Sequence, residues 1–145
     1  MALYLAYGSN LNKRQMAHRC PTAAYLGSTQ LDGYELVFRG RYASAVATIE
    51  KKKGSTVPVG IWEISDKDEK ALDVYEGFPT LYRKETVKVD IEGKNTDVMV
   101  YIMNDKYPYE TPSRYYYETI EEGYRDCDLD TKFLKKALKE SIKRM

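Results

Sequence analysis

The sequence predicts an α+β domain in which a mostly antiparallel sheet, able to curl into a barrel, carries flanking helices. Three observations lead there. Short runs of alternating apolar residues recur between Ala2 and Met103. Turn signals at Lys51–Ser55 and Glu92–Asn95 interrupt them where hairpin tips belong. Helix-type spacing is confined to a few segments, two of which close the chain. At 145 residues the chain has the size of one domain, residues 1–145, and no internal repeat divides it.

The elements follow in order. Ala2–Tyr7 reads as a short buried strand broken by Gly8-Ser9-Asn10, and the polar stretch Leu11–Arg19 reads as a helix that ends before Pro21. Ala23–Phe38 alternates around Gly27 and Asp32-Gly33, which fits either two strands or one long strand with a bulge. Ser44–Glu50 and Thr56–Ile64 flank Lys51–Ser55 as the arms of a hairpin with a solvated, charged tip. Ser65 followed by Asp68 and Glu69 is a capping signature that starts a helix over Asp66–Tyr75, stopped by Gly77 and Pro79, with Glu76 in its last turn. Tyr82–Ile91 and Asp97–Met103 form a second hairpin around Glu92–Asn95. Ser113 caps a helix over Arg114–Glu122, and a last amphipathic helix places Phe133, Leu134, Ala137, Leu138 and Ile142 on one face.

Composition removes several function classes. With 23 basic and 22 acidic residues the net charge is +1, so the chain has no field for steering polyanions, and nucleic-acid binding is disfavoured. That balance also argues against a tyrosine-rich binder of single-stranded RNA. The uncharged N-terminal run ends at Asn12, well short of the ~18–20 residues of a membrane span, and lacks a basic leader. No membrane or export role is expected. Cys20 and Cys127 are far apart, with no CxxC and no histidine cluster, so neither a zinc site nor a disulfide framework is indicated and a reducing cytoplasm is the default. With His18 as the one histidine, a Ser–His–Asp triad or a multi-histidine metal site would have to be built on it alone. Fourteen tyrosines suggest amphipathic cavity walls as well as core.

Two segments can carry chemistry. In Tyr4–Asn10, YLAYGSN, a strand passes through a glycine into a helix start, where unpartnered amides converge and can hold an anion; a plain strand-to-helix turn is the alternative. Glu76 lies four residues after Leu72, so it shares the helix face that points to the core. Burial and the negative end of the helix dipole would both raise its pKa toward the range of a general acid–base; the alternative is a solvated helix-end glutamate. Asp73, one step round the helix, is expected in solvent. Tyr116, Ile120 and Tyr124 share one helical stripe that fits core or site, Tyr82 fits a cavity or a plain strand position, His18 reads as a surface residue and both thiols as inert.

YLAYGSN, Ala47-Thr48-Ile49, LDVYEGFP with Tyr82 after it, and Pro112-Ser113 with Tyr116 and Ile120 occur in this order over nearly the whole chain. Together they resemble the gamma-glutamylcyclotransferase family, and the compact length resembles its bacterial members. The resemblance implies a six-stranded barrel and release of 5-oxoproline from gamma-glutamyl compounds without a metal or cofactor. It implies Glu76 as the catalytic acid/base, a substrate cradle over Tyr4, Leu5, Ala6, Tyr7, Gly8, Ser9 and Asn10, and substrate contacts from Tyr82 and Tyr116. The partner it implies is a small gamma-glutamyl molecule, with a homodimer left open. A second reading keeps the cradle as a non-catalytic metabolite-binding domain on the same fold.

Overall fold

The computed structural model describes residues 1–104 and 107–145. Its strands are β1 (Ala2–Ala6), β2 (Ala24–Arg39), β3 (Val46–Ile64), β4 (Tyr82–Ile91) and β5 (Lys94–Met103); its helices are α1 (Lys13–Arg19), α2 (Asp66–Glu76), α3 (Arg114–Asp126) and α4 (Lys132–Lys143). The strands form one mixed sheet in the order β2-β3-β1-β5-β4. Every neighbouring pair is antiparallel except β1 with β5. The short apolar β1 therefore sits in the middle of the sheet, and its end at Ala6 delivers Tyr7–Asn10 to the edge of the core.

One open choice is resolved here and one expectation changes. Ala23–Phe38 is one long strand with register breaks at Tyr25/Gly27 and Asp32/Tyr34. Ser44–Glu50 and Thr56–Ile64 do not pair with each other; they are the two halves of β3, and both pair with β2. Leu31 lies opposite Val57 and Leu36 opposite Ile49, so β2 offers both halves an apolar partner along its length. The lysine run reaches solvent from the irregularity between Thr56 and Lys51 instead of from a turn.

The six-stranded barrel is also corrected: among the described residues there are five strands, and no ladder joins the edge strands β2 and β4. The physical reason is that β2 and β3 run unbroken through their bends, and the two edges meet through a side chain, Thr29 Oγ1 donating to Asp90 O at 2.6 Å.

Helix α2 has the full capping box between Ser65 and Asp68 and ends at Gly77, which takes the left-handed conformation at φ 68°. Helix α3 continues four residues past Glu122, and β5 begins at Lys94 because the turn is only Glu92-Gly93. Ile142 is 48% exposed and leaves the α4 face. Ser141 takes the inward position, accepting a hydrogen bond from Phe38 N–H at 3.0 Å. Among the described residues no helix is long and apolar enough to cross a membrane.

The segment after β1 is braced from the far end of the chain. Ser9–Leu11 forms a 3₁₀ turn, and α3 lies directly on it: a Cβ added at Gly123 would fall 2.7 Å from Asn12 N. Asn12 Nδ2 donates to Thr119 O at 3.0 Å, and Cys127 Sγ donates to Leu11 O at 3.4 Å.

Candidate active site

A cavity of about 190 Å³ opens where the end of β1, the 3₁₀ turn, the end of α2 and the start of α3 converge. Gly8 forms part of its wall, and a Cβ there would meet Ala47 Cβ at 3.4 Å and Tyr116 Oη at 3.8 Å. The turn's first hydrogen bond runs from Leu11 N–H to Gly8 O at 3.0 Å. Among the described residues the amides of Ser9 and Asn10, ahead of that bond, donate to no backbone carbonyl, as expected for the first donors of a helical turn.

Asn10 is the hub of the polar wall. It is 3% exposed, and Trp62 Nε1 donates to its carbonyl at 3.1 Å. Its Nδ2 donates to Tyr4 Oη at 2.8 Å and reaches Glu76 Oε1 at 3.5 Å, while its Oδ1 accepts from Arg19 Nη1 at 2.5 Å. The Arg19 guanidinium stacks 3.4 Å from the centre of the Tyr75 ring and lies 3.4 Å from Ser9 Oγ. Tyr75 Oη and Ser9 Oγ are 3.2 Å apart, which joins the end of α2 to the turn.

Glu76 sits one helical turn beyond the fully buried Leu72, in the last turn of α2. Burial pushes its carboxyl up to about 7, with the Arg19 guanidinium pulling the other way. The phenols around it are held protonated: burial raises Tyr4, Tyr7, Tyr82 and Tyr116 above the ordinary tyrosine value. Tyr82 and Tyr116 grip the same residue of β3, Tyr82 Oη donating to Ala47 O at 2.7 Å and Ala47 N–H donating to Tyr116 Oη at 3.0 Å. Tyr7 Oη donates to Tyr101 O at 2.8 Å. The result is a pocket with one titrating carboxylate, a bare glycine backbone and a ring of neutral hydroxyls.

The structure brings Tyr4, Tyr7, Gly8, Ser9, Asn10, Glu76, Tyr82 and Tyr116 to this one cavity. Leu5 and Ala6 do not line it; they are 0% and 1% exposed, packed in the core as interior positions of a central strand. The stripe on α3 divides: Tyr116 faces the cavity, whereas Ile120 and Tyr124 are fully buried in the core. Asp73 is only partly exposed and is not free in solvent as expected, because Tyr101 Oη donates to it at 2.6 Å and Lys84 Nζ lies 2.9 Å away.

Sequence reasoning missed Arg19, Tyr75 and Tyr101. Tyr75 had a usable signal, since it adjoins Glu76 in the same helical turn. Arg19 had none, because its contact with Asn10 depends on how α1 folds back over the turn. Tyr101 arrives through the pairing of β5 with β1, which local pattern does not specify.

Comparison with known proteins points to one family. The family model described as gamma-glutamyl cyclotransferase, AIG2-like, matches residues 4–124. The gamma-glutamylcyclotransferase of Homo sapiens is 30% identical over 92% of this chain and 76% of its own, and that of Mus musculus is 29% identical over the same shares. A solved gamma-glutamyl cyclotransferase superposes with a TM-score of 0.81 at 27% identity, covering 94% of this chain and 85% of that one. YkqA from Bacillus subtilis, at 23% identity and a TM-score of 0.81 over 54% of its length, shares the fold. With the match running from Tyr4 in β1 to Tyr124 in α3, through every element that bounds the pocket, the chain belongs to the gamma-glutamyl cyclotransferase, AIG2-like family.

Proposed function

We propose that this chain is a gamma-glutamylcyclotransferase-type enzyme that releases 5-oxoproline from a gamma-glutamyl amine, amino acid or small peptide, with Glu76 as general acid/base. One observation carries the proposal: the pocket holds a single carboxylate, raised to about 7, among hydroxyls that stay neutral. That value suits a group that takes and returns a proton near neutrality.

The substrate brings both reacting groups. Its α-amine attacks its own γ-carbonyl, the amide C–N bond breaks, and the products are the five-membered lactam and a free amine, with no water consumed. No enzyme nucleophile, metal or cofactor enters this scheme. Positioning supplies the largest share, since a well-held intramolecular attack is worth about 7–11 kcal/mol. The amides of Ser9 and Asn10 are suited to the substrate's α-carboxylate and the Tyr82 and Tyr116 walls to its glutamyl stem. An α-amine with a pKa near ~8 is mostly protonated at neutral pH, so Glu76 takes one proton before attack and hands it to the departing amine. The second proton, shed by the ring nitrogen as the lactam forms, passes to the freed Glu76 carboxylate and on to the released amine or solvent. The reading includes one domain over residues 1–145 and a cytoplasmic setting, in keeping with the free buried thiols of Cys20 and Cys127.

The test is incubation with a panel of gamma-glutamyl amino acids, amines and small peptides, following 5-oxoproline by mass spectrometry for the wild type and Glu76→Gln. Turnover of at least one class, with a loss of about 10²-fold or more in the variant, is the expected result. Binding of panel members without turnover in the wild type would establish the non-catalytic metabolite-binding reading instead.

A further inference from the structure

We propose that Arg19 is a positioning residue for the acid/base carboxylate: its guanidinium holds the Asn10 amide in the one orientation that presents an N–H to Glu76. This rests on the proposed role of Glu76. The orientation follows from donor and acceptor inventory. A guanidinium has five N–H donors and no acceptor, so the Asn10 atom facing Arg19 must be the carbonyl oxygen. The NH₂ group is thereby turned to the opposite side, where it meets Tyr4 Oη at 2.8 Å and Glu76 Oε1 at 3.5 Å. With Arg19 absent, the two ends of that amide would be free to exchange, and a carbonyl oxygen turned toward Glu76 would repel the ionised carboxylate.

Arg19 is itself held in place. Its flat face rests on the Tyr75 ring at 3.4 Å, and Tyr75 is the residue next to Glu76, so the same side chain is tied to both ends of the contact it controls. Asn10 has no slack of its own, because Trp62 Nε1 fixes its backbone carbonyl at 3.1 Å. The groups facing Glu76 from the other elements are the phenols of Tyr4, Tyr7, Tyr82 and Tyr116, from the β1 region, β4 and α3, and all are kept protonated by burial. Arg19, from α1, is the charged group that acts on Glu76 among the described residues.

The experiment follows the Glu76 carboxyl by ¹³C NMR across pH in the wild type and Arg19→Met. The pH profile of kcat/KM is measured on the same proteins with the gamma-glutamyl compound that turns over fastest. Arg19→Met is expected to raise the Glu76 midpoint by about one pH unit or more, as loss of an adjacent opposite charge does, and to lower kcat/KM about tenfold below that midpoint. Because the orienting part of the effect runs through Asn10 while the charge of Arg19 acts on Glu76 directly, the same change in an Asn10→Ala background is expected to cost clearly less kcat/KM than it does in the wild type. An unmoved midpoint in folded Arg19→Met, or equal losses in the two backgrounds, overturns the proposal. Should Arg19→Met fail to fold, Arg19→Lys keeps the charge without the stacked fork; there kcat/KM falls while the midpoint moves less, and wild-type kcat/KM overturns the proposal. Failure of the Glu76 role looks different: Glu76→Gln retains turnover, and kcat/KM ceases to follow a midpoint that still responds to Arg19.

Discussion

In the proposed mechanism Glu76 sets chemistry and stability against each other at a single residue. Its folded-state carboxyl stands near 7 against an ordinary 4.5, so the folded chain keeps a proton that the unfolded chain has released between those values. Stability is therefore complete below about 4.5, declines as pH rises toward 7 and is flat beyond; the loss is at most about 3 kcal/mol. Glu76→Gln removes the penalty. By denaturant titration the variant is expected to exceed the wild type at pH 8 by up to that amount and to match it at pH 4, while its lactam-forming activity is lost. The opposite ordering at pH 8 would mean that the carboxylate is well solvated in the folded protein. Sequence spacing was enough to turn this residue inward, since Leu72 fixed which face of α2 meets the core. The same spacing misjudged Asp73, because its partners Tyr101 and Lys84 come from β5 and β4, strands far along the chain.

At the scale of elements, α3 is fitted to the 3₁₀ turn backbone against backbone. Gly123 makes this contact, and any side chain there would strike Asn12 N and Leu11 C at 2.7 and 2.8 Å. Gly123→Ala is expected to destabilise the fold by about 1–3 kcal/mol, the cost of overpacking, although alanine is the better helix former. A melting temperature at or above wild type would show that α3 can lift off the turn without cost. Helices were legible where their ends are written in short-range chemistry, as in the Ser65–Asp68 box and the Gly77 stop of α2. Strand partners were less so. The lysine run Lys51–Lys53 has the look of a turn, yet β3 passes through it, because the choice between a turn and a bulge was made by the β2 residues opposite.

For the whole molecule, the sheet joins what the chain separates, with β1 between β3 and β5 and the C-terminal helices laid over the N-terminal turn. Tyr4, Glu76, Tyr82 and Tyr116, far apart in the chain, line one cavity, whereas the sheet is not closed into the barrel the resemblance implied, since a barrel depends on edge pairing that no motif encodes. Trp62, the single tryptophan, is 5% exposed and bonded to Asn10, so it reports on the site and on the core together. Its fluorescence change on denaturation is expected to coincide with the far-UV circular dichroism transition, as in a cooperative unit of this size. An earlier fluorescence transition would separate the pocket from the rest of the fold. The bracing of Leu11 and Asn12 by Thr119, Gly123 and Cys127 reaches into how the molecule comes to be. In a nascent chain the glycine turn is made first, and the buttress that shapes it is synthesised more than a hundred residues later. Under the proposed function, competence is thus expected to arrive late and all at once, with no half-made catalyst before it.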